Sequence, residues 1–220
     1  MSVFRNLLIQ SFDSKKIPRE YQKVQYIESD GNQYIDTGYV PTSGTRLYIK
    51  ASSHEVASHT ALFGCRASDY SNPLLSFIEL TMNSDTNLIR LDAGGITGNN
   101  GSTGVHWVKD EPFTIDVDLY HKKVLVNGNV ISKYNSMSYP YSCNVSIGVF
   151  AVHHGNTYIY PIAGRVYGCT IYNQDTAVRD LVPCYRKNDG VIGFYDIIGK
   201  TFYTNIGSGT FAKGGDLKWV

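Results

Sequence analysis

The sequence carries almost no excess charge of either sign: 20 lysines and arginines stand against 19 aspartates and glutamates, for a formal net charge of +1. No broad field exists to steer the chain onto nucleic acid or an anionic bilayer, so neither is expected as a partner. The basic cluster Lys15, Lys16 and Arg19 is short, lies beside Pro18 and reads as a solvated linker. No C-x-x-C spacing occurs among Cys65, Cys143, Cys169 and Cys184, which disfavours a zinc ribbon or a thioredoxin-like redox site. Several of these cysteines sit in apolar, strand-like runs and are expected as buried thiols, with a disulfide as the alternative. A long hydrophobic run is also missing. The opening MSVFRNLLIQSF is too polar for a signal peptide or a membrane span, so folding in a reducing cytoplasm without membrane insertion is expected. There is no G-x-S-x-G elbow, no zinc-protease helix motif and no Walker Lys-Ser/Thr. No nucleophile, cofactor or metal centre is indicated, and the chain reads as non-enzymatic.

What is present is a punctuated, tyrosine-rich β pattern. The 17 tyrosines against 9 phenylalanines favour aromatic rings with a polar tip, suited to half-buried strands and to binding surfaces. Residues 1–20 stand apart as an attachment segment and linker. Val3, Phe4, Leu7 and Leu8 would form an apolar stripe on a short helix that SKKIPRE breaks; such a segment docks on its own domain or on a partner, and in the second case Phe4, Leu7 and Leu8 are the candidate attachment residues. Residues 21–220 form one domain of short runs separated by Gly, Asn, Asp, Ser and Pro. In PFTIDVDLY, Phe113, Ile115, Val117 and Leu119 share one face, and Thr114, Asp116, Asp118 and Tyr120 share a wet one. Leu47, Ile49 and Ala51 repeat the pattern, as do Cys143, Val145, Ile147, Val149 and Ala151. Sheets with one apolar face need a second layer, and without helices that layer is another sheet. Two dipeptides predict tight hairpins: Asn127-Gly128, and Asp30-Gly31 between the repeats Tyr26-Ile27-Glu28 and Tyr34-Ile35-Asp36. Residues 174–220 read as a terminal hairpin and loops folded back over the sandwich, with GSGTFAKGG as a glycine-rich tail.

Several motifs bear on ligands. His153 and His154 are adjacent, so on a strand they would point to opposite faces and could not chelate one ion; a rim loop is their expected place. There His154, Asn156, Tyr158 and Tyr160 would offer imidazole, amide and phenol groups to sugar hydroxyls, with an aromatic face for the apolar side of the ring. The alternative makes Tyr158 and Tyr160 half-buried strand residues. Tyr139 and Tyr141, around Pro140, form a second candidate glycan platform or else a proline-anchored turn. DAGGITGNNGSTGVHW reads as a mobile loop able to form a ligand rim.

QYIDTGYVPTSGTRLYIKA, then DLYHKKVLVNG, then PIAGRVYGCTIYN resemble the strand succession of laminin-G-like, concanavalin A-like jelly rolls. FRNLL, EYQKVQYIESDGNQYIDTG, VRDLVPC, GFYD and FYTNIGSGTF resemble, over nearly the whole chain, a group of bacteriophage and prophage tail or fibre proteins. The resemblance implies an all-β, two-sheet antiparallel jelly-roll sandwich. It also implies a virion component, made in the host cytoplasm, that joins other virion proteins through its N-terminal segment. Such a protein would be a homo-oligomer adhering to host-surface glycans through a lectin-like domain, or a purely structural decoration or assembly protein. Some jelly-roll relatives cleave glycans with a Glu-x-Asp-x-x-Glu strand. Here only Asp116 and Asp118 are present, without the flanking glutamates, and a solvated strand is the expectation. Calcium is common in laminin-G-like domains, yet no spacing singles out Asp92, Asp116 or Asp118 as ligands.

Overall fold

The computed structural model describes residues 15–54, 60–67, 77–82, 88–94, 101–131 and 143–218. The candidates Phe4, Leu7, Leu8, Tyr139 and Tyr141 lie outside the described residues. Among the described residues there are nineteen strands and no helix. In chain order they begin with β1 (Tyr21–Lys23), β2 (Ile27–Asp30), β3 (Ile35–Asp36), β4 (Thr45–Ser53), β5 (Thr60–Arg66) and β6 (Phe77–Met82). Next come β7 (Leu88–Gly94), β8 (Ser102–His106), β9 (Phe113–Asp118), β10 (Lys123–Val126), β11 (Asn129–Val130) and β12 (Gly148–Val149). The last are β13 (Val152–His154), β14 (Thr157–Ile159), β15 (Ala163–Asn173), β16 (Thr176–Arg186), β17 (Ile192–Asp196), β18 (Thr201–Thr204) and β19 (Ala212–Lys213).

Eleven strands form a large sheet along β11-β10-β9-β4-β15-β16-β17-β18, with β1 on β16, β2 on β15 and β19 on β2. Eight form a small sheet along β14-β13-β5-β6-β7-β8, with β12 joining β3 to β5. Leu47, Ile49 and Ala51 of β4 and Phe113, Ile115 and Val117 of β9 face the seam, each at most 5% exposed. They share one core with Phe63 and Cys65 of β5 and Ile89 and Leu91 of β7. Full burial of such an aliphatic side chain contributes roughly 1.5–3 kcal/mol, so the period-two alternation fixes which face of each strand turns inward. The hairpin at Asn127-Gly128 forms as expected: φ is +50° and +78°, and Val126 pairs with Asn129, the signature of a type I′ turn.

Asp30-Gly31 closes no hairpin. β2 pairs with β15 and β19 in the large sheet, whereas β3 pairs with β12 in the small one. The chain therefore crosses the seam between the two Tyr-Ile-acid repeats. Side chains hold the crossing: Ser29 Oγ donates to the Gln33 carbonyl at 2.9 Å, and Asp30 Oδ1 accepts from the Asn32 N–H at 3.1 Å. These local bonds replace the ladder that a hairpin would have supplied.

Three further expectations change. The chain after Asn173 supplies integral strands of the large sheet, with β16 paired to β15 and β17, and the glycine-rich end is anchored by Phe211, 3% exposed, and by β19. The 15–20 segment is strapped to the reverse of the large sheet: Ile17 packs with Val182, Cys184 and Tyr195, and Lys15 pairs with Asp180. Lys23 Nζ donates to the Lys15 carbonyl at 2.9 Å, and Lys187 Nζ to the Arg19 carbonyl at 2.7 Å, so the segment is anchored rather than a free linker, although Lys16 and Arg19 are exposed. The wet face of β9 is an ion-pair lattice. Arg46 donates to both oxygens of Asp116 at 2.8 and 2.6 Å, while Asp118, 6% exposed, accepts from the His121 N–H at 2.9 Å.

Candidate functional site

His153 and His154 lie in strand β13 rather than in a loop, and the β13–β14 hairpin sets His153 opposite Tyr158. The Tyr158 ring is stacked between His153 and Tyr34, with centroids 4.5 Å away on each side and interplanar angles of 14° and 23°. Its hydroxyl donates to Asp36, and burial, reinforced by the Asp36 charge, pushes the phenol pKa up. Asp36 also accepts from Ser146 Oγ and from the Gly38 N–H. The His153 Nδ1 lies 3.1 Å from the Ser146 carbonyl and 3.0 Å from its Oγ. A carbonyl only accepts, so Nδ1 carries the proton and donates. Ser146, His153 and Asp36 therefore resemble a nucleophilic trio in composition only. The proton-bearing nitrogen faces the serine, and the carboxylate binds the serine, so the trio clamps Tyr158 in place.

The hairpin sorts the glycan candidates onto different neighbours. Tyr158 has both ring faces covered, so it acts as a wall rather than an open platform. His154 pairs in parallel register with Arg66, and burial, followed by the Arg66 and His153 charges, lowers its imidazole pKa. The Tyr160 ring also meets Arg66, whose guanidinium lies 5.8 Å from the centroid. His154 and Tyr160 thus gather at Arg66, while Asn156 is exposed at the hairpin tip.

On the other side of Tyr34 the loop 205–211 begins. Asn205 organises it: Oδ1 accepts from the Tyr34 N–H at 3.1 Å and the Gly207 N–H at 2.8 Å, while Nδ2 donates to the Ser208 and Gly209 carbonyls at 3.2 and 3.0 Å. Gly207 presses against Tyr34 so closely that a Cβ there would fall 2.8 Å from the ring and 2.2 Å from the Asn32 carbonyl oxygen. Only glycine permits that approach. Between this loop and the turn at 189–192 opens a cleft of about 470 Å³. Thr204, Thr210, Asn205 and Asp189 supply hydroxyl, amide and carboxylate groups, and Val191, Ile192 and Phe211 supply apolar surface. Asp189 is matched by Arg186, which donates from Nε at 3.1 Å and from its terminal nitrogen at 2.6 Å and holds the carboxyl below its ordinary pKa. Sequence reasoning missed this cleft. Its one local signal is the Asn-Ile-Gly-Ser-Gly-Thr run, read there as part of a tail.

No protein-family model and no curated protein matches the sequence. Solved structures do match the fold. The CBM40 module of the Ruminococcus gnavus IT-sialidase, solved bound to α2,6-sialyllactose, aligns with TM-score 0.50 and 11% identity over 70% of this chain and 91% of that one. The native heptameric SAP-like pentraxin of Limulus polyphemus aligns with TM-score 0.50 and 7% identity over 88% and 94%. A Bacteroides ovatus protein to which carbohydrate binding has been ascribed aligns with TM-score 0.52 and 9% identity over 89% of this chain and 62% of its own. At such identities the likeness establishes architecture: the protein is an all-β jelly-roll sandwich.

Proposed function

We propose that the chain is a non-enzymatic, lectin-like virion module that holds a neutral sugar of a host-surface glycan in the cleft between residues 189–192 and 204–211. The observation that carries this reading is the cleft itself, about 470 Å³, with polar groups beside apolar surface and one wall immobilised by Asn205 and the Tyr34–Tyr158–His153 stack. A sugar ring presents hydroxyls around its rim and C–H groups on its faces, which such a lining complements. The lining contains no lysine or arginine, and its one carboxylate is already matched by Arg186, so a neutral sugar suits it better than an acidic one. Sugar binding by the R. gnavus module, which has the same fold, supports the reading. A non-enzymatic role is supported by Asp116 and Asp118, whose carboxylates are engaged by Arg46 and His121.

Display on a virion rests on the phage-like motifs from FRNLL to FYTNIGSGTF. The chain is made in the host cytoplasm, the segment that carries Phe4, Leu7 and Leu8 attaches it to other virion proteins, and a homo-oligomer adds avidity to individually weak sites. A glycan array probed with the full chain tests the proposal. Binding to neutral-terminated glycans is expected, and Thr210→Trp, which fills the cleft, lowers it at least tenfold while Tyr160→Ala leaves it intact. Absence of any binding, together with particle assembly that depends on residues 1–14, would replace this reading with a structural decoration protein. Ile198 and Ile206, 42% and 50% exposed around the edge strand β18, are the feature that favours that second reading.

A further inference from the structure

All four cysteines carry buried thiols, and two of them face each other: the Sγ atoms of Cys65 and Cys143 are 3.5 Å apart across 78 positions of sequence. We propose that Cys65 and Cys143 are a cystine-forming pair, reduced while the chain folds and joined by a disulfide once the protein meets an oxidising, disulfide-containing milieu. An S–S bond of roughly 2.05 Å requires the sulfurs to close by about 1.5 Å.

Environment sets the order of events. Cys143 is 8% exposed and Cys65 fully buried, so an outside oxidant meets Cys143 first. The Cys65 hydrogen bond, aided by the backbone N–H groups of Val145 and Asn144, lowers the Cys143 thiol to about 7, which makes it a thiolate near neutral pH. That thiolate attacks one sulfur of a small dialkyl disulfide such as oxidised glutathione, forming a mixed disulfide and expelling one thiolate. Cys65 then gives up its proton and attacks the Cys143 sulfur, and the second small thiol leaves. Two protein thiols and one small disulfide thus become one protein disulfide and two small thiols.

The other two cysteines are an internal contrast. Cys169 lies in the central core and Cys184 on the reverse of the large sheet with Ile17, so the sheet stands between them. Burial pushes the Cys184 thiol up to about 12 and raises that of Cys169 as well. Neither is suited to attack.

The cross-link would fasten the segment before β12 to β5 beside His153, which pairs in register with Cys65. Ser146, three positions after Cys143, is the residue that clamps His153. Oxidation would therefore stiffen the wall next to the cleft, and its loop-closing effect would raise thermal stability.

The test exposes the purified, folded full-length protein to oxidised glutathione near pH 8, counts thiols after denaturation and maps peptides without reduction. Four thiols should fall to two, with Cys65 joined to Cys143 and both Cys169 and Cys184 still alkylatable. The unfolding temperature should rise by roughly 5 °C and return with dithiothreitol. In Cys65→Ser the glutathione adduct should persist on Cys143, and in Cys143→Ser none should form. Retention of all four thiols by the wild-type protein, or thiol loss at Cys169 and Cys184 instead, would overturn the proposal.

Discussion

The side-chain oxygen of Asn205 accepts a hydrogen bond from the backbone N–H of Tyr34, 171 positions earlier in the chain. That bond ties the cleft loop to the aromatic stack and accounts for the stiffness of the wall. Asn205→Ala strands the N–H groups of Tyr34 and Gly207 and should cost about 1–3 kcal/mol. Asn205→Asp, which keeps the acceptor but turns a carboxylate oxygen toward the Ser208 and Gly209 carbonyls, should cost at least as much. Urea unfolding checks both.

Gly207 admits no side chain. Gly207→Ala would put a methyl group 2.2 Å from the Asn32 carbonyl oxygen, so the loop must lift from Tyr34. Destabilisation of about 1–3 kcal/mol is expected from overpacking, together with weaker glycan binding. Calorimetry and the glycan array read the two effects.

Tyr158 is held by stacking and by its hydroxyl. Tyr158→Phe keeps both ring contacts, loses the bond to Asp36 and should cost about 1 kcal/mol. Tyr158→Ala removes the middle of the stack and should cost about 3–5 kcal/mol if the gap does not collapse. A normal unfolding temperature for Tyr158→Ala would contradict the clamp.

Arg46 serves two carboxylates, Asp116 at 2.6 Å and Asp118 at 3.9 Å. Arg46→Met should destabilise by about 3 kcal/mol because it leaves shielded carboxylates without their cation. The double change Arg46→Met with Asp116→Leu should recover part of the loss, and a double-mutant cycle measures it.

Acid should weaken the fold through specific pairs. Hydrogen bonding to His54, Arg186 and Lys213 lowers the carboxyl pKa values of Asp110, Asp189 and Asp216 respectively. A depressed folded-state pKa means the unfolded chain binds protons first. Stability is therefore fully present above the unfolded value, near about 3.9, and is lost as pH falls through the folded values. Unfolding temperatures measured from pH 5 downward should decline, and Asp189→Asn should remove part of the slope below about pH 4. An unchanged slope in Asp189→Asn would contradict the Arg186 pairing.

The sequence is legible where short-range period and long-range pairing agree. Leu47 and Ile49 stand beside Val117 and Ile115 of the neighbouring strand, and all four face the seam together because alternate residues of a strand share a face. Asn127-Gly128 turns as its dipeptide predicts, since among the described residues β11 pairs with β10 alone while β10 pairs on with β9. Asp30-Gly31 has the same local chemistry and does not, because β15 and β12 offer Ile27 and Ile35 better partners in opposite sheets. Local propensity cannot report such distant competition. The cleft was hidden for the same reason, since Tyr34, Asp189 and Thr210 converge only after the sheets form.

The most direct test of the glycan-cleft reading is an NMR titration of the isotopically labelled full chain with a neutral oligosaccharide that binds on the array. Chemical-shift changes should concentrate at residues 189–192 and 204–211 and vanish in Thr210→Trp. Changes centred instead on Arg66, His154 and Tyr160, with the cleft silent, would contradict it.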